Sequence, residues 1–204
     1  MSDMLSAVAQ ALTQRGFEVH TAATAAQAKE LALSLIPQGS SIGIGGSMTV
    51  RQLGLTEALE QAGHPVWWHW TSPEERPLVF ENARKADVYL ASANAVTRDG
   101  QLVNIDGTGN RIASMLQGPA TVIAIVGRQK LVDGGLTAAI GRIKREACPP
   151  NASRLKLNTP CALSGRCNEQ ACGDDCMCRG MSVVSRPLRG QRHIVVLVDE
   201  ILGY

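Results

Sequence analysis

The run A-T-V-I-A-I-V at Ala120–Val126 is apolar without alternation, which predicts a strand buried on both faces. A sheet covered by helices on both sides provides that environment. The rest of the chain supplies the covering. Met4, Leu5, Val8 and Leu12 recur at helical spacing and predict an opening helix that stops near Gly16. Ala23–Leu35 predicts a second helix with Thr24 as its cap. Further helices are expected over Val50–Ala62, with Gly54 a point of interruption, and over Pro73–Lys85 behind Ser72. Ile112–Leu116 and Gly134–Ala147 complete the set.

Short strands are expected between these helices at Phe17–Thr21, Ser41–Ile44, Pro65–Trp70 and Ala86–Ala91. Gln101–Ile105 reads as a hairpin arm after the turn Arg98-Asp99-Gly100. Met181–Arg186 and His193–Val198 read as two terminal strands about the turn Leu188–Gln191. This alternation predicts an α/β fold: a mostly parallel sheet with helices on both faces. The rhythm changes near Ala147, which suggests an α/β core over 1–147, a cysteine-rich loop over 148–180 and terminal strands over 181–204 that complete the core.

Composition narrows the function classes. Hydrophobic residues make up 45% and charged residues 19%, enough for a sizeable core. The net charge is +2 with no basic stripe, and aromatics are only 3%, so neither a phosphate-tracking surface nor base-stacking platforms are expected, and no nucleic-acid partner. No run is long and apolar enough to span a bilayer, and Met1–Glu18 lacks the apolar stretch of a signal peptide. A cytoplasmic location follows as the expectation, where closely spaced cysteines serve more often as metal ligands or redox groups than as disulfides.

Two glycine-rich stretches follow predicted strands. I-G-I-G-G-S-M-T at Ile42–Thr49 places Gly45 and Gly46 in a strand-to-helix turn whose backbone N–H groups can face an anion, with Ser47 and Thr49 as hydroxyl donors. It lacks the Gly-Lys-Ser/Thr of a phosphate-binding P-loop and the spacing of a dinucleotide fingerprint, and a plain tight turn capped by Ser47 accounts for it equally. N-I-D-G-T-G-N-R at Asn104–Arg111 is dense in small polar residues. Arg111 can clamp a carboxylate or phosphate, Asn110 can orient a carbonyl, and Asp106 is the candidate acid or base, with Gly107 and Gly109 giving close backbone approach. A hairpin exit with a helix cap is the plainer reading. Ligands of open α/β sheets collect at the carboxyl ends of strands, so both stretches can face one crevice, joined by Ser92, Asn94 and Gly127. In V-W-W-H-W, alternation sets Trp68 and Trp70 on one face and Trp67 and His69 on the other. Core or dimer-interface packing is the preferred use, which leaves a homodimer open. His69 has no acid paired with it in the sequence.

Five of the six cysteines, Cys161, Cys167, Cys172, Cys176 and Cys178, fall within Pro160–Arg179, with Cys148 shortly upstream. Their intervals of five, four, three and one residues contain no Cys-x-x-Cys knuckle. Clustered thiolates suit zinc or an iron–sulfur cluster, and the loose spacing favours the larger cluster.

Several stretches together resemble the lactate-utilisation (LUD, formerly DUF162) family in its short single-domain form. They are G-I-G-G-S-M-T, the run N-A-R-K-A-D-V-Y-L-A-S-A-N-A-V-T-R-D-G-Q-L-V-N-I-D-G-T-G-N-R, I-V-G-R-Q-K-L-V, N-T-P-C-A-L-S-G-R-C and V-V-L-V-D-E-I-L-G-Y. The resemblance implies a NagB/RpiA/CoA-transferase-like fold and association with oxidation of L-lactate, or a related 2-hydroxy acid, to the keto acid alongside iron–sulfur partner proteins. It strengthens a small anionic metabolite as ligand of Gly45–Thr49 and Asp106–Arg111, and a 4Fe-4S cluster on the C-terminal cysteines, with zinc as the alternative. The family's motif places a cysteine two residues after T-P-C-x5-C, whereas here Asn168–Ala171 lengthens that gap and Cys176 is extra, so Cys172 and Cys178 are the positional counterparts. Two other readings stay open: a non-catalytic electron-transfer or assembly subunit, and a zinc-stabilised transferase or isomerase of the same fold.

Overall fold

The computed structural model describes residues 2–204. Helix α1 (Asp3–Gln14) starts at Ser2, whose hydroxyl accepts from the Leu5 N–H at 3.3 Å, and its buried face carries Leu5, Val8 and Leu12. Strand β1 (Glu18–Ala22) leads to α2 (Ala25–Ser34), where Thr24 accepts from the Gln27 N–H at 3.2 Å, the cap expected from sequence. Strand β2 (Ile42–Ile44) runs into α3 (Met48–Gln52) and α4 (Leu55–Gln61). Gly54 separates these two helices in a left-handed conformation, φ 58°. Strand β3 (Val66–Trp68) is shorter than expected, which leaves His69 and Trp70 beyond its end. Helix α5 (Arg76–Lys85) begins three residues later than Pro73, because Ser72 accepts from the Glu75 N–H and forms a turn first.

Strands β4 (Val88–Ala91), β5 (Ala95–Thr97) and β6 (Leu102–Asp106) precede α6 (Asn110–Leu116). Then come β7 (Thr121–Gly127), a 3-10 turn at Arg128–Lys130 and β8 (Leu131–Val132). Helix α7 (Leu136–Arg142) passes through a π-helical stretch, Ile143–Ala147, into α8 (Cys148–Arg154), so helix continues past Ala147. Helix α9 (Pro160–Ser164), β9 (Gly180–Val184) and β10 (Arg192–Val198) complete the chain.

Six strands form one parallel sheet in the order β1-β10-β7-β4-β2-β3. Successive residues of its central strands alternate between two cores. Ile123, Ile125, Ile194 and Val196 pack with α2, α3 and α4 on one face. Ala124, Val126, Val195 and Leu197 pack with α1 on the other, and Val122 packs with Tyr89 and Met115 on that side. The non-alternating sequence of β7 follows from this two-sided burial.

The remaining strands form a second sheet, β8-β5-β6-β9, in which β6 is antiparallel to both neighbours. The two terminal strands therefore separate: β9 pairs with β6, and β10 enters the parallel sheet between β1 and β7. The register Asp106↔Gly180 ends the β6–β9 ladder and delivers the cysteine segment beside the end of β6. Among the described residues, no helix is long and apolar enough to cross a membrane.

Candidate functional site

The carboxyl ends of β2, β3, β4, β6 and β7 open on one cavity of about 360 Å³. Each end contributes wall residues: Gly46 and Ser47, then His69 and Trp70, Ser92 and Asn94, Asp106 with Gly107, and Lys130. Helix α8 closes one side with Cys148, Asn151 and Arg154, and the cysteine loop closes another with Asp174–Met177 and Arg179. The glycine-rich loops and the cysteine segment, far apart in sequence, thus border the same space.

The residues singled out from sequence divide by role. Arg111 lines the cavity, where its Nη2 donates to the Ile105 carbonyl at 2.7 Å and to Asn94 Oδ1 at 3.3 Å. Asn94 Oδ1 also accepts from the Ile105 N–H at 3.0 Å, so the guanidinium is held in a fixed pose. Asp106 Oδ2 accepts from the backbone N–H groups of Arg111 and Ile112 at 3.1 and 3.3 Å and lies 3.7 Å from Arg111 Nε. It therefore caps α6 while bordering the cavity. Asn110 Nδ2 bonds His69 Nδ1 at 2.9 Å. Ser47 Oγ accepts from the Val50 N–H at 3.3 Å as the cap of α3. Thr49 is 1% exposed and sits behind the wall. Gly45 makes room for Arg111: a Cβ there would lie 2.5 Å from Arg111 Cγ and from the Tyr89 hydroxyl. Gly109, at φ 83°, opens α6 outside this cavity, and Gly127 packs against Leu202 and Glu200 instead.

Lys130 and Arg154 belong to no candidate site motif of the sequence, and His69 stands there without a paired acid, yet all three border the cavity. Lys130 is 3% exposed, and its Nζ donates to Thr49 Oγ1 at 2.8 Å and Ser92 Oγ at 3.0 Å. Burial, with Arg142 and Arg111 nearby, brings its pKa down to about 7. His69 stacks on Phe80 with ring centroids 4.8 Å apart. Burial, and then Arg76, holds it below the usual imidazole range, against an upward pull from Asp106. Arg154 lies 5.0 Å from the Trp70 ring and Arg51 lies 5.4 Å from it. Lys130 and His69 follow the carboxyl ends of β7 and β3, the signal by which sequence alone had access to them. No comparable signal marks Arg154, whose position depends on how α8 crosses the sheet ends.

The cysteines split by exposure. Cys148 and Cys161 are buried, Cys167 is exposed, and Cys172, Cys176 and Cys178 are intermediate. Two of them lie in helices rather than in a loop: Cys148 begins α8, and Cys161 lies in α9, which Thr159 caps while its hydroxyl contacts the Cys161 sulfur at 3.3 Å. Cys148 Sγ and Cys178 Sγ are 3.4 Å apart, within S–H···S hydrogen-bond distance. Cys178 takes the thiolate character: its bond with Cys148 and the nearby Lys144 ammonium hold it at about 6. The same bond, with burial, pushes Cys148 up. Burial, with help from Cys176, pushes Cys172 up to about 11. Arg179 ties the loop together by donating to the Cys176 and Asp174 carbonyls. Among the described residues, no three His, Cys, Asp or Glu side chains converge as a ready single-ion site.

A parallel sheet with a cavity at its strand ends, walled by a thiol-bearing segment, defines an α/β domain with an attached cysteine segment. The sequence profile of the LUD domain matches residues 5–198, and the chain belongs to that family, which is associated with lactate utilisation. Over 98% of its length it superposes on 99% of a DUF162 family protein from Deinococcus radiodurans, with TM-score 0.57 and 15% identity, which shows a shared fold. Ribose 5 phosphate isomerase A from Neisseria gonorrhoeae aligns over 67% of this chain and 68% of its own, with TM-score 0.36 and 20% identity. No curated protein matches.

Proposed function

We propose that the cavity binds a small 2-hydroxy or 2-oxo carboxylate, and that the adjoining cysteines carry an iron–sulfur cluster that exchanges electrons in its metabolism. The observation that carries this reading is the common wall. Arg111 and Lys130 border the same cavity as Cys148 and Cys176. Arg111 meets the ligand carboxylate, an arrangement suited to a planar guanidinium held by Asn94 and Ile105. Asn110 and His69 face the ligand's oxygen at the next carbon. Asp106 is engaged in capping α6, and the neutral His69, whose Nδ1 accepts from Asn110, presents its Nε2 N–H as a hydrogen-bond donor.

The thiols suit such a group by their chemistry. They are soft donors, Cys148 and Cys178 are already adjacent, and the Lys144 cation offsets thiolate charge. Cys161, Cys167, Cys172, Cys176 and Cys178, with Cys148 behind them, are the residues that would hold it. When bound, the cluster supplies one-electron chemistry.

Arg111→Ala tests the cavity. The loss of a charge-assisted contact, worth about 1.5–3 kcal/mol, should weaken pyruvate or lactate binding roughly 10- to 100-fold by calorimetry. Unchanged affinity in a folded variant removes the anion site. For the cluster, anaerobically purified protein should be brown with about four iron and four sulfide per chain. Stoichiometric zinc without visible absorption favours a zinc-stabilised domain instead.

A further inference from the structure

We propose that Lys130 is a nucleophilic amine that condenses with the carbonyl carbon of a 2-oxo acid bound in the cavity. This rests on the carboxylate reading above and adds a covalent step to it. The case begins with hydrogen-bond counting. A lysine ammonium has three N–H donors, whereas a neutral amine has two and a lone pair. Lys130 Nζ has two hydroxyl acceptors, Thr49 Oγ1 and Ser92 Oγ. Among the described residues, no carboxylate lies within ion-pair distance of it, although it is 3% exposed. Both hydroxyls have carbonyls to which they donate in turn, Thr49 to Leu202 at 3.2 Å and Ser92 to Ala93 at 3.3 Å. They are thereby oriented to accept from the amine. Two acceptors and no counter-ion fit a neutral –NH2 with its lone pair uncommitted.

The surroundings maintain that state. Burial is the main cause of a pKa of about 7, and the positive charges of Arg142 and Arg111 nearby add to it. The amine's pocket is closed by the chain end: a Cβ on Gly203 would lie 2.9 Å from Nζ and 2.5 Å from Thr49 Oγ1. Lys130 and Ser92 nevertheless form part of the cavity wall. Ser92 and Asn94 belong to one turn after β4, so the hydroxyl that holds the amine and the amide that holds Arg111 are two residues apart. A 2-oxo acid held by its carboxylate on Arg111 would occupy the cavity that Lys130 also lines.

In the step, the Nζ lone pair adds to the keto carbon and a C=N bond replaces C=O. The two amine hydrogens leave with the carbonyl oxygen as water. Nothing is oxidised or reduced. The imine, once protonated, draws electrons from the adjacent C–C or C–H bond.

The test is reductive trapping. The protein is incubated at neutral pH with pyruvate and sodium cyanoborohydride, digested and mapped by mass spectrometry across its five lysines. The expected result is a single reduced pyruvyl group on Lys130, absent from K130R, whose guanidinium has no free lone pair. Thermal shift with pyruvate runs in parallel. A shift without an adduct overturns the lysine proposal and leaves the anion cavity standing, whereas neither shift nor adduct removes both. An adduct on another lysine, or equal labelling of K130R, also overturns it.

Discussion

Asp106 and His193 show what a single side chain's surroundings do to its chemistry. Asp106 is the acid that sequence offered for proton transfer, yet its Oδ2 serves two backbone N–H groups at the start of α6. His69, set aside for want of a paired acid, receives Asn110 and borders the cavity. His193 is 1% exposed in β10, edge-on to Phe17, and among the described residues neither ring nitrogen has a hydrogen-bond partner. Burial alone holds its pKa at about 4, against an ordinary 6.5. The unfolded chain therefore takes up a proton below pH 6.5 that the fold refuses until about pH 4, and stability falls as pH drops through that window. The fall is on the order of 3 kcal/mol at 1.36 kcal/mol per unit. His193→Leu should abolish this slope and stay within about 1 kcal/mol of the parent at pH 7. Urea midpoints at pH 7 and pH 5 check it, and an equal loss in both proteins contradicts it.

At the scale of elements, the short β2 strand sets how closely a helix can approach. Gly43 faces the backbone of α5, and a Cβ there would meet the Ala83 carbonyl oxygen at 2.3 Å. A backbone obstacle cannot rotate away, so Gly43→Ala should destabilise by about 3 kcal/mol, at the upper end for overpacking. Chemical denaturation measures it, and a cost below about 1 kcal/mol would mean that α5 moves freely. The link from α7 through the π-helical stretch to α8 has a similar geometric consequence. The wider turn at Ile143–Ala147 comes just before Cys148 and Arg154, both of which reach the cavity.

For the whole molecule, two long-range pairings make the site. The β6–β9 ladder carries the cysteine segment to the end of β6, where Arg179 N–H bonds the Asp106 carbonyl at 3.0 Å. Insertion of β10 between β1 and β7 brings the chain end back over Lys130 and Thr49. In metal-free protein, Cys148, 3% exposed and under the loop, should be alkylated last, at a rate set by unfolding, while Cys167 reacts at once. Time-resolved labelling with mass spectrometry gives the order, and early modification of Cys148 would show that the loop opens independently of the fold.

Local patterns along the chain were enough to define the elements and their class. Helical spacing marked α1, the cap at Thr24 marked α2, and two-sided burial wrote β7 as an unbroken apolar run. These are local signals, each carried by residues within one element. They also identified the two glycine-rich stretches, because strand-to-helix turns at a crevice need small residues, and the cysteine cluster, because thiols so dense are chemically conspicuous. It took the folded chain to send the terminal strands into different sheets, to set the cysteine segment in the wall of the same cavity as Arg111, and to bury Lys130 among hydroxyls and cations. The reason is physical: charge state and neighbourhood depend on burial and on contacts between residues tens of positions apart, such as Lys130 with Thr49, and no local pattern encodes such pairings.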